Sequence, residues 1–397
     1  MSNSLPDTVV ILGAARTPMG GFQGDFISLA AHDLGGAAIK AAVARSGVAP
    51  EKVDEVLFGN CLMAGQGQAP ARQAGFKGGL PASAGAVTLS KMCGSGMAAT
   101  LLAHDQLLVG SRDVMVAGGM ESMTNAPHLL PKGRSGVRIG HDRIYDHMML
   151  DGLEDAYEPG RAMGTFGEQC ADKYQFTRQA QDAFAIASVE RAKAATESGA
   201  FQAEITPVTV KNRAGESVIS VDEGPGKVKL DKIAALKPAF KKDGTITAAS
   251  SSSINDGAAA LVLARASTAK ELGLQPLARI VGHATFAQTP EWFTTAPVGA
   301  VQKLLKKIGW SVQDVDLWEV NEAFAVVPMA LMKELNVSHD IVNVNGGACA
   351  LGHPIGASGA RIIVTLLYAL KARGLQRGVA TLCIGGGEAT ALALELL

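Results

Sequence analysis

Short β-branched runs alternate with alanine-rich stretches along this chain. Val9–Leu12, Val56–Phe58, Val114–Ala117, Leu317–Val320 and Val379–Ile384 each read as a strand, since short continuous apolar runs suit strands buried on both faces. Met97–Gly110 and Ser358–Arg373 read as helices. Gln175–Gly199 reads as an exposed helix, with Arg178, Asp182, Glu190, Arg191 and Lys193 along it. Strands alternating with helices predict an α/β chain with substantially parallel pairing.

A weak internal repeat lies beneath the pattern. Gly47–Val56 resembles Gly309–Trp318, each a helix end, a Val-Asp and a strand. Cys93 follows the first copy and His353 the second at nearly the same distance. After each come a Gly/Ser-rich turn, a helix, a strand and a glycine pair, Gly118-Gly119 and Gly386-Gly387. Two similar halves with reactive residues at matching places imply a site at their junction; any two α/β halves share some of this likeness. The predicted division is residues 1–122 as an N-terminal half whose core resumes to about 275, an insertion over 123–250, and a C-terminal half over 276–397. The insertion is richer in Pro and charge, and insertions of this kind usually serve binding or assembly.

Composition narrows the classes. The 397 residues are 47% apolar and 18% charged, enough for a buried core and against global disorder. Lys+Arg (36) balances Asp+Glu (37), which argues against a general nucleic-acid binder. The longest uninterrupted apolar run, Ala323–Met332, is well short of the ~20 residues of a membrane-spanning helix. The first seven residues lack the basic region of a leader, and Glu395-Leu396-Leu397 is no Ser-Lys-Leu address, so a cytoplasmic location is expected. Five scattered cysteines do not suggest a disulfide framework. With no CxxC or His/Cys ligand spacing, no metal is expected.

Four places carry chemistry. Cys93, in Lys91-Met92-Cys93-Gly94-Ser95-Gly96, opens a helical stretch. A helix N-terminus favours the thiolate, so Cys93 reads as a nucleophile with a lowered pKa, against the plainer reading of a buried structural thiol. His353, among glycines and before Pro354, suits a base that later donates to an oxyanion, or a helix cap. Its glycine-rich turn lacks the Gly-Lys-Ser/Thr ending of a phosphate loop. Cys383 ends a strand, where open α/β sheets place ligands, and suits an acid/base thiol or a core residue. Asn321, after another strand, could hold a water or cap a helix.

Together these blocks resemble the four signature blocks of thiolases: Cys93-Gly-Ser-Gly-Met, Asn321-Glu322-Ala323-Phe324, Gly352-His353-Pro354-Ile355-Gly356-Ala357-Ser358-Gly359-Ala360-Arg361, and Cys383-Ile384-Gly385-Gly386-Gly387. Order and spacing match over essentially the whole chain. The resemblance implies duplicated α/β halves in a layered α-β-α-β-α core with an inserted loop domain. Within the family the likeness is greatest to acetyl-CoA acetyltransferases, which implies a reversible Claisen condensation of two acetyl-CoA through an acetyl-cysteine. A 3-ketoacyl-CoA thiolase of longer chain length is the alternative; a decarboxylating ketoacyl synthase would lack the Cys383 block, and a non-catalytic relative would have lost one of Cys93, His353 or Cys383.

The implied roles are Cys93 as nucleophile, His353 as base, Cys383 as acid/base for the α-proton, and Asn321 as holder of an oxyanion-hole water. The Gly385 and Cys93 N–H groups would form a second hole. Leu153, Met163 and Ser252 fall where the family lines its pantetheine channel; Lys227 and Lys232 fall where basic residues meet the nucleotide end of coenzyme A, or are simply solvated. The resemblance also implies a homotetramer built through the insertion, with acyl-CoA as substrate and no metal, nicotinamide or biotin. Ala162 replaces a usual His, and Ser250–Ser253 replaces a usual Asn-Ala-Ser-Gly/Thr; both bear on binding rather than reaction type. Phe293 and Tyr157 resemble the mitochondrial acetoacetyl-CoA enzymes, some of which respond to potassium, so a potassium response is a further expectation.

Overall fold

The computed structural model describes residues 7–212 and 215–397. The leaderless reading of the N-terminus rests largely on residues 1–6, which lie outside the described residues. In the N-terminal half, β1 (Val9–Arg16), β2 (Glu55–Gly59), β3 (Gly85–Leu89), β4 (Val114–Ser122) and β5 (Asn255–Arg265) are the long strands, with the short Gly20–Gly21 strand paired to β5. In the C-terminal half they are β6 (Ala278–Ala287), β7 (Leu317–Val320), β8 (Arg377–Ile384) and β9 (Glu388–Leu396). They join in one sheet, ordered β7-β8-β9-β6-β1-β5-β4-β2-β3.

The repeat seen in the sequence is a repeat of topology. Reading outward from the centre, the first half runs β1-β5-β4-β2 and the second β6-β9-β8-β7, with matching strand directions. The halves meet where β1 and β6 pair antiparallel through Val10–Arg279 and Ile11–Ala278. Among the described residues, parallel ladders between these strands are confined to β2–β3, β2–β4 and β7–β8. The expectation of a substantially parallel sheet is therefore corrected. In the C-terminal half, β8 turns straight back into β9 through Gly386 and Gly387, both at positive φ, and a hairpin dictates antiparallel strands.

Alternate residues of each strand face opposite layers. Val10 and Leu12 pack with α1 (Ala31–Ser46) on one outside face. Val9 and Ile11 face inward, toward α2 (Ser95–Leu108) and α7 (Ile355–Arg373). Those two helices also touch β8 and β9 through Leu382 and Leu392. On the far face, α5 (Ala296–Ile308) and α6 (Val326–Leu335) cover Val379 and Ala391. The result is five layers, α-β-α-β-α, around α2 and α7. The latter is long and apolar enough to cross a bilayer, but it is buried as the central core helix. The helices approach closely because glycines face the seam: a Cβ on Gly359 would sit 2.4 Å from the Met97 nitrogen.

Between Ser122 and β5 the chain makes short hairpins, α3 (Gly164–Tyr174) and α4 (Arg178–Glu197). Helix α4 was expected to be exposed; one face of it, with Phe184, Ser188, Val189 and Ala192, is buried. Of the charged residues that suggested exposure, Glu190 is exposed, but Asp182 is buried and paired with Arg178, and Arg178 and Arg191 reach back to backbone carbonyls.

Candidate active site

The duplicated topology delivers two reactive residues to equivalent places. Cys93 lies just before α2, which leads into β4; His353 lies just before α7, which leads into β8. Because α2 and α7 pack side by side, their preceding loops are brought to the same end of the core. Met92 adopts φ 46°, a left-handed conformation that costs a non-glycine residue energy and often marks a functional turn. Ser95 braces that turn, its Oγ accepting from the Lys91 N–H (2.8 Å) and donating to the Met92 carbonyl (2.6 Å).

Cys93 packs against Cys61, Leu62, Met123, Met148 and Ile355. A Cβ on Gly94 would collide with Ile384, so the Cys93 loop rides directly on the Cys383–Gly385 segment. The Gly385 N–H and the N–H of Cys93 itself favour the anionic form of the Cys93 sulfur. Burial outweighs them and pushes the thiol up to about 11. This corrects the expected lowered pKa: a helix N-terminus alone does not make a thiolate once water is removed from the sulfur. Cys383 is fully buried, and its thiol is pushed well up by burial and by the nearby Cys93 sulfur.

His353 is buried, and burial together with the Arg361 charge lowers its pKa to about 3. At rest the site thus holds neutral thiols and a neutral imidazole. His353 Nδ1 meets Ser358 Oγ at 2.5 Å, while Nε2 has no partner among the described residues. Asn321 is fully buried. Its Oδ1 accepts from Arg361 (3.4 Å), and its Nδ2 is likewise unpartnered. Two unpartnered buried polar nitrogens are costly unless something else meets them.

His353 opens on a cavity of about 420 Å³ lined chiefly by apolar side chains, including Leu153, Met163, Phe240 and Phe324. Ser252 and Ala162 line it as well. Ser252 donates from both N–H and Oγ to the Ala323 carbonyl, at 3.0 and 3.1 Å, and so ties the serine run to the Asn321 block. A Cβ on Gly385 would come within 3.3 Å of the Met163 methyl, which links the cavity to the Gly385 N–H and hence to Cys93.

Of the sequence-predicted residues, His353, Leu153, Met163 and Ser252 line that cavity; Cys93, Asn321, Cys383 and Gly385 are outside its lining, and three more stand apart from the site. Lys227 is exposed and ion-paired with Glu223; Lys232 is exposed near Asp231 (3.6 Å). Phe293 is buried edge-on to Phe166, ring centroids 6.0 Å apart, in the core under α5.

The sequence reading missed Ser358 and Glu121. Glu121, at the end of β4, accepts from the N–H groups of Cys61 (3.0 Å), Leu62 (3.1 Å) and Gly356 (2.9 Å), and from Asn60. It spans the two halves beside both reactive loops, and burial pushes its carboxyl up to about 7. The Gly-Gly-Met-Glu-Ser run at the strand end was the available signal.

Comparison with known proteins gives this geometry its family. The model "Thiolase, N-terminal domain" matches residues 9–267, and "Thiolase, C-terminal domain" matches residues 274–396. The chain belongs to the thiolase family. This thiolase is 51% identical to acetyl-CoA acetyltransferase 2 of Arabidopsis thaliana, over 99% of this chain and 98% of that protein. It is 47% identical to the acetyl-CoA acetyltransferase of Allochromatium vinosum, over 98% and 99% of the two chains. Among solved structures, the thiolase resembles the Bacillus anthracis acetyl-CoA acetyltransferase with a TM-score of 0.96 at 43% identity, covering 100% of both chains. It also resembles the Acat5 thiolase from Ascaris suum in complex with coenzyme A, with a TM-score of 0.93 at 43% identity over 98% of this chain and 100% of that one.

Proposed function

We propose that this thiolase is an acetyl-CoA acetyltransferase that joins two acetyl-CoA into acetoacetyl-CoA and coenzyme A, and runs the reverse thiolysis. The observation that carries the reading is the meeting of Cys93 with the Cys383–Gly385 segment, next to Met163 of the apolar cavity that His353 lines. In the first half-reaction, His353 Nε2 takes the Cys93 proton as the sulfur attacks the thioester carbonyl. The Cys93 and Gly385 N–H groups receive the developing oxyanion, a type of contact whose loss typically costs about 3 kcal/mol. Coenzyme A leaves with the proton of Cys383, which becomes a thiolate; His353 keeps the Cys93 proton at Nε2, and Cys93 carries the acetyl group.

In the second half-reaction, Cys383 removes the α-proton of a second acetyl-CoA. The enolate oxygen is held by donors at His353 Nε2 and, through a water, Asn321 Nδ2. Its carbon attacks the acetyl-Cys93 carbonyl, the C–S bond breaks, and the Cys93 sulfur leaves as a thiolate that takes back the proton held at His353 Nε2, while Cys383 keeps the α-proton, so both thiols and the imidazole return to their resting state. The neutral resting state supports this order: neither sulfur is committed until substrate fills the site. The identities of about 50% with acetyl-CoA acetyltransferases, and the coenzyme A complex of a similar structure, support the substrate class.

The test is steady-state condensation and thiolysis across 3-ketoacyl-CoA chain lengths. The highest kcat/KM on acetoacetyl-CoA is expected; a maximum at a longer chain would replace this reading with the longer-chain thiolase. We further propose a homotetramer assembled through the insertion. The exposed Val137, Ile139 and Ile144 support it, since apolar side chains grouped on a surface mark contact sites. Light scattering of purified protein tests that assembly.

A further inference from the structure

Away from the cavity, α2 and β6 bring three metal-ligating side chains together. Asp105 Oδ1 lies 3.0 Å from His104 Nδ1 and 2.9 Å from His283 Nε2. All three atoms fall within 4.8 Å of one another. We propose that His104, Asp105 and His283 form a binding site for one divalent transition-metal ion of the Zn2+ type. Around an ion bound at about 2.0–2.2 Å, neighbouring N and O ligands stand roughly 3 Å apart, so small side-chain adjustments suffice.

Several features support ligation over a plain hydrogen-bonded trio. The imidazoles are held edge-on, centroids 4.9 Å apart at 89°, and His104 is 7% exposed. Two imidazoles and one carboxylate form a ligand set suited to zinc, nickel or copper. Asp105 and His283 line a separate cavity of about 580 Å³, as do Leu101, Leu102, Lys303 and Lys307. Both lysine heads are turned to backbone, Lys303 to the Thr285 carbonyl (3.1 Å) and Lys307 to that of His283 (3.2 Å). Their charge makes the site weaker than a closed four-ligand one. Sequence spacing cannot show this set, because Asp105 and His283 are 178 positions apart. Bound metal would tie α2, the helix that follows Cys93, to the other half of the molecule.

The experiment uses full-length protein alkylated with iodoacetamide, so that accessible thiols do not bind zinc. Zn2+ binding is followed by equilibrium dialysis, alongside thermal unfolding with and without Zn2+. Wild type is expected to hold one zinc per chain and to unfold at a higher temperature with the ion, since an ion that binds only the folded state stabilises it. His283→Ala and Asp105→Asn are each expected to weaken binding by about tenfold or more and to remove the thermal shift. No zinc bound by wild type, or equal binding by both variants, overturns the proposal.

Discussion

His353 and Ser358 share a 2.5 Å contact, and assigning the serine proton to the Pro354 carbonyl, 3.0 Å from Oγ, satisfies both of its neighbours. Ser358 Oγ must therefore accept from Nδ1–H, which leaves Nε2 bare and ready to take a proton. After it does so, the same atom becomes a donor. One bond thus sets the tautomer that allows His353 to act first as base and then as an oxyanion partner.

Ser358→Ala should lower kcat by about 10- to 100-fold, the size expected when a buried hydrogen bond of ~1–3 kcal/mol is lost. KM for acetoacetyl-CoA should change little, and the pH profile should shift as both tautomers become populated. An unshifted profile would reduce Ser358 to a packing residue.

The two sulfurs should separate by function. Cys93→Ala should show no acetylation by acetyl-CoA in intact-protein mass spectrometry. Cys383→Ala should still gain one acetyl group at Cys93 yet fail to condense or thiolyse. Full turnover in the second variant would refute its acid/base role.

The raised Cys93 thiol makes a kinetic statement. Without substrate, alkylation of Cys93 by iodoacetamide should accelerate roughly tenfold per pH unit from neutrality toward pH 10, following the thiolate fraction. A rate independent of pH between 6 and 8 would mean that a thiolate–imidazolium pair already exists at rest.

His353 also makes a prediction for stability. Its folded pKa, about 3, lies below the ordinary value of 6.5. Between those values the unfolded chain binds the proton and the folded one does not, so stability rises with pH through that window and is lost as pH falls. Relative to wild type, His353→Gln should gain in denaturant stability as pH drops from 6.5 toward 4. A difference that stays constant with pH would show that His353 is not buried neutral.

Gly359→Ala should destabilise by about 1–3 kcal/mol, the usual cost of overpacking. Its new Cβ meets a backbone nitrogen at 2.4 Å, which cannot rotate away. An unchanged midpoint in urea would place slack in the α2–α7 seam.

Much of this was legible in the sequence, for physical reasons. Buried strands declared themselves in the runs at Val9, Val114 and Val379, and the reactive loops came through their glycines and prolines. Strand direction did not, because Glu388–Leu396 carries no mark telling a hairpin return from a crossover. Desolvation was hidden too: the Cys93 neighbours suggested a thiolate, but depth belongs to the tertiary structure. Ser358 sat inside a quoted block and was missed because its contact to His353 depends on the first turn of α7. Lys227 and Lys232 could be assigned only by resemblance, since lysine on a polar stretch looks the same whether or not a ligand comes near.

Among the described residues, Val10 and Ile11 are the whole of the β1 strand pairing between halves. Cohesion across the molecule must then come largely from the interlocked helices at its centre, whose leading loops hold the sulfur and the imidazole. Weakening that interlock would let the reacting atoms drift apart while each half kept its own fold, so inactivation should precede melting in any variant loosened there.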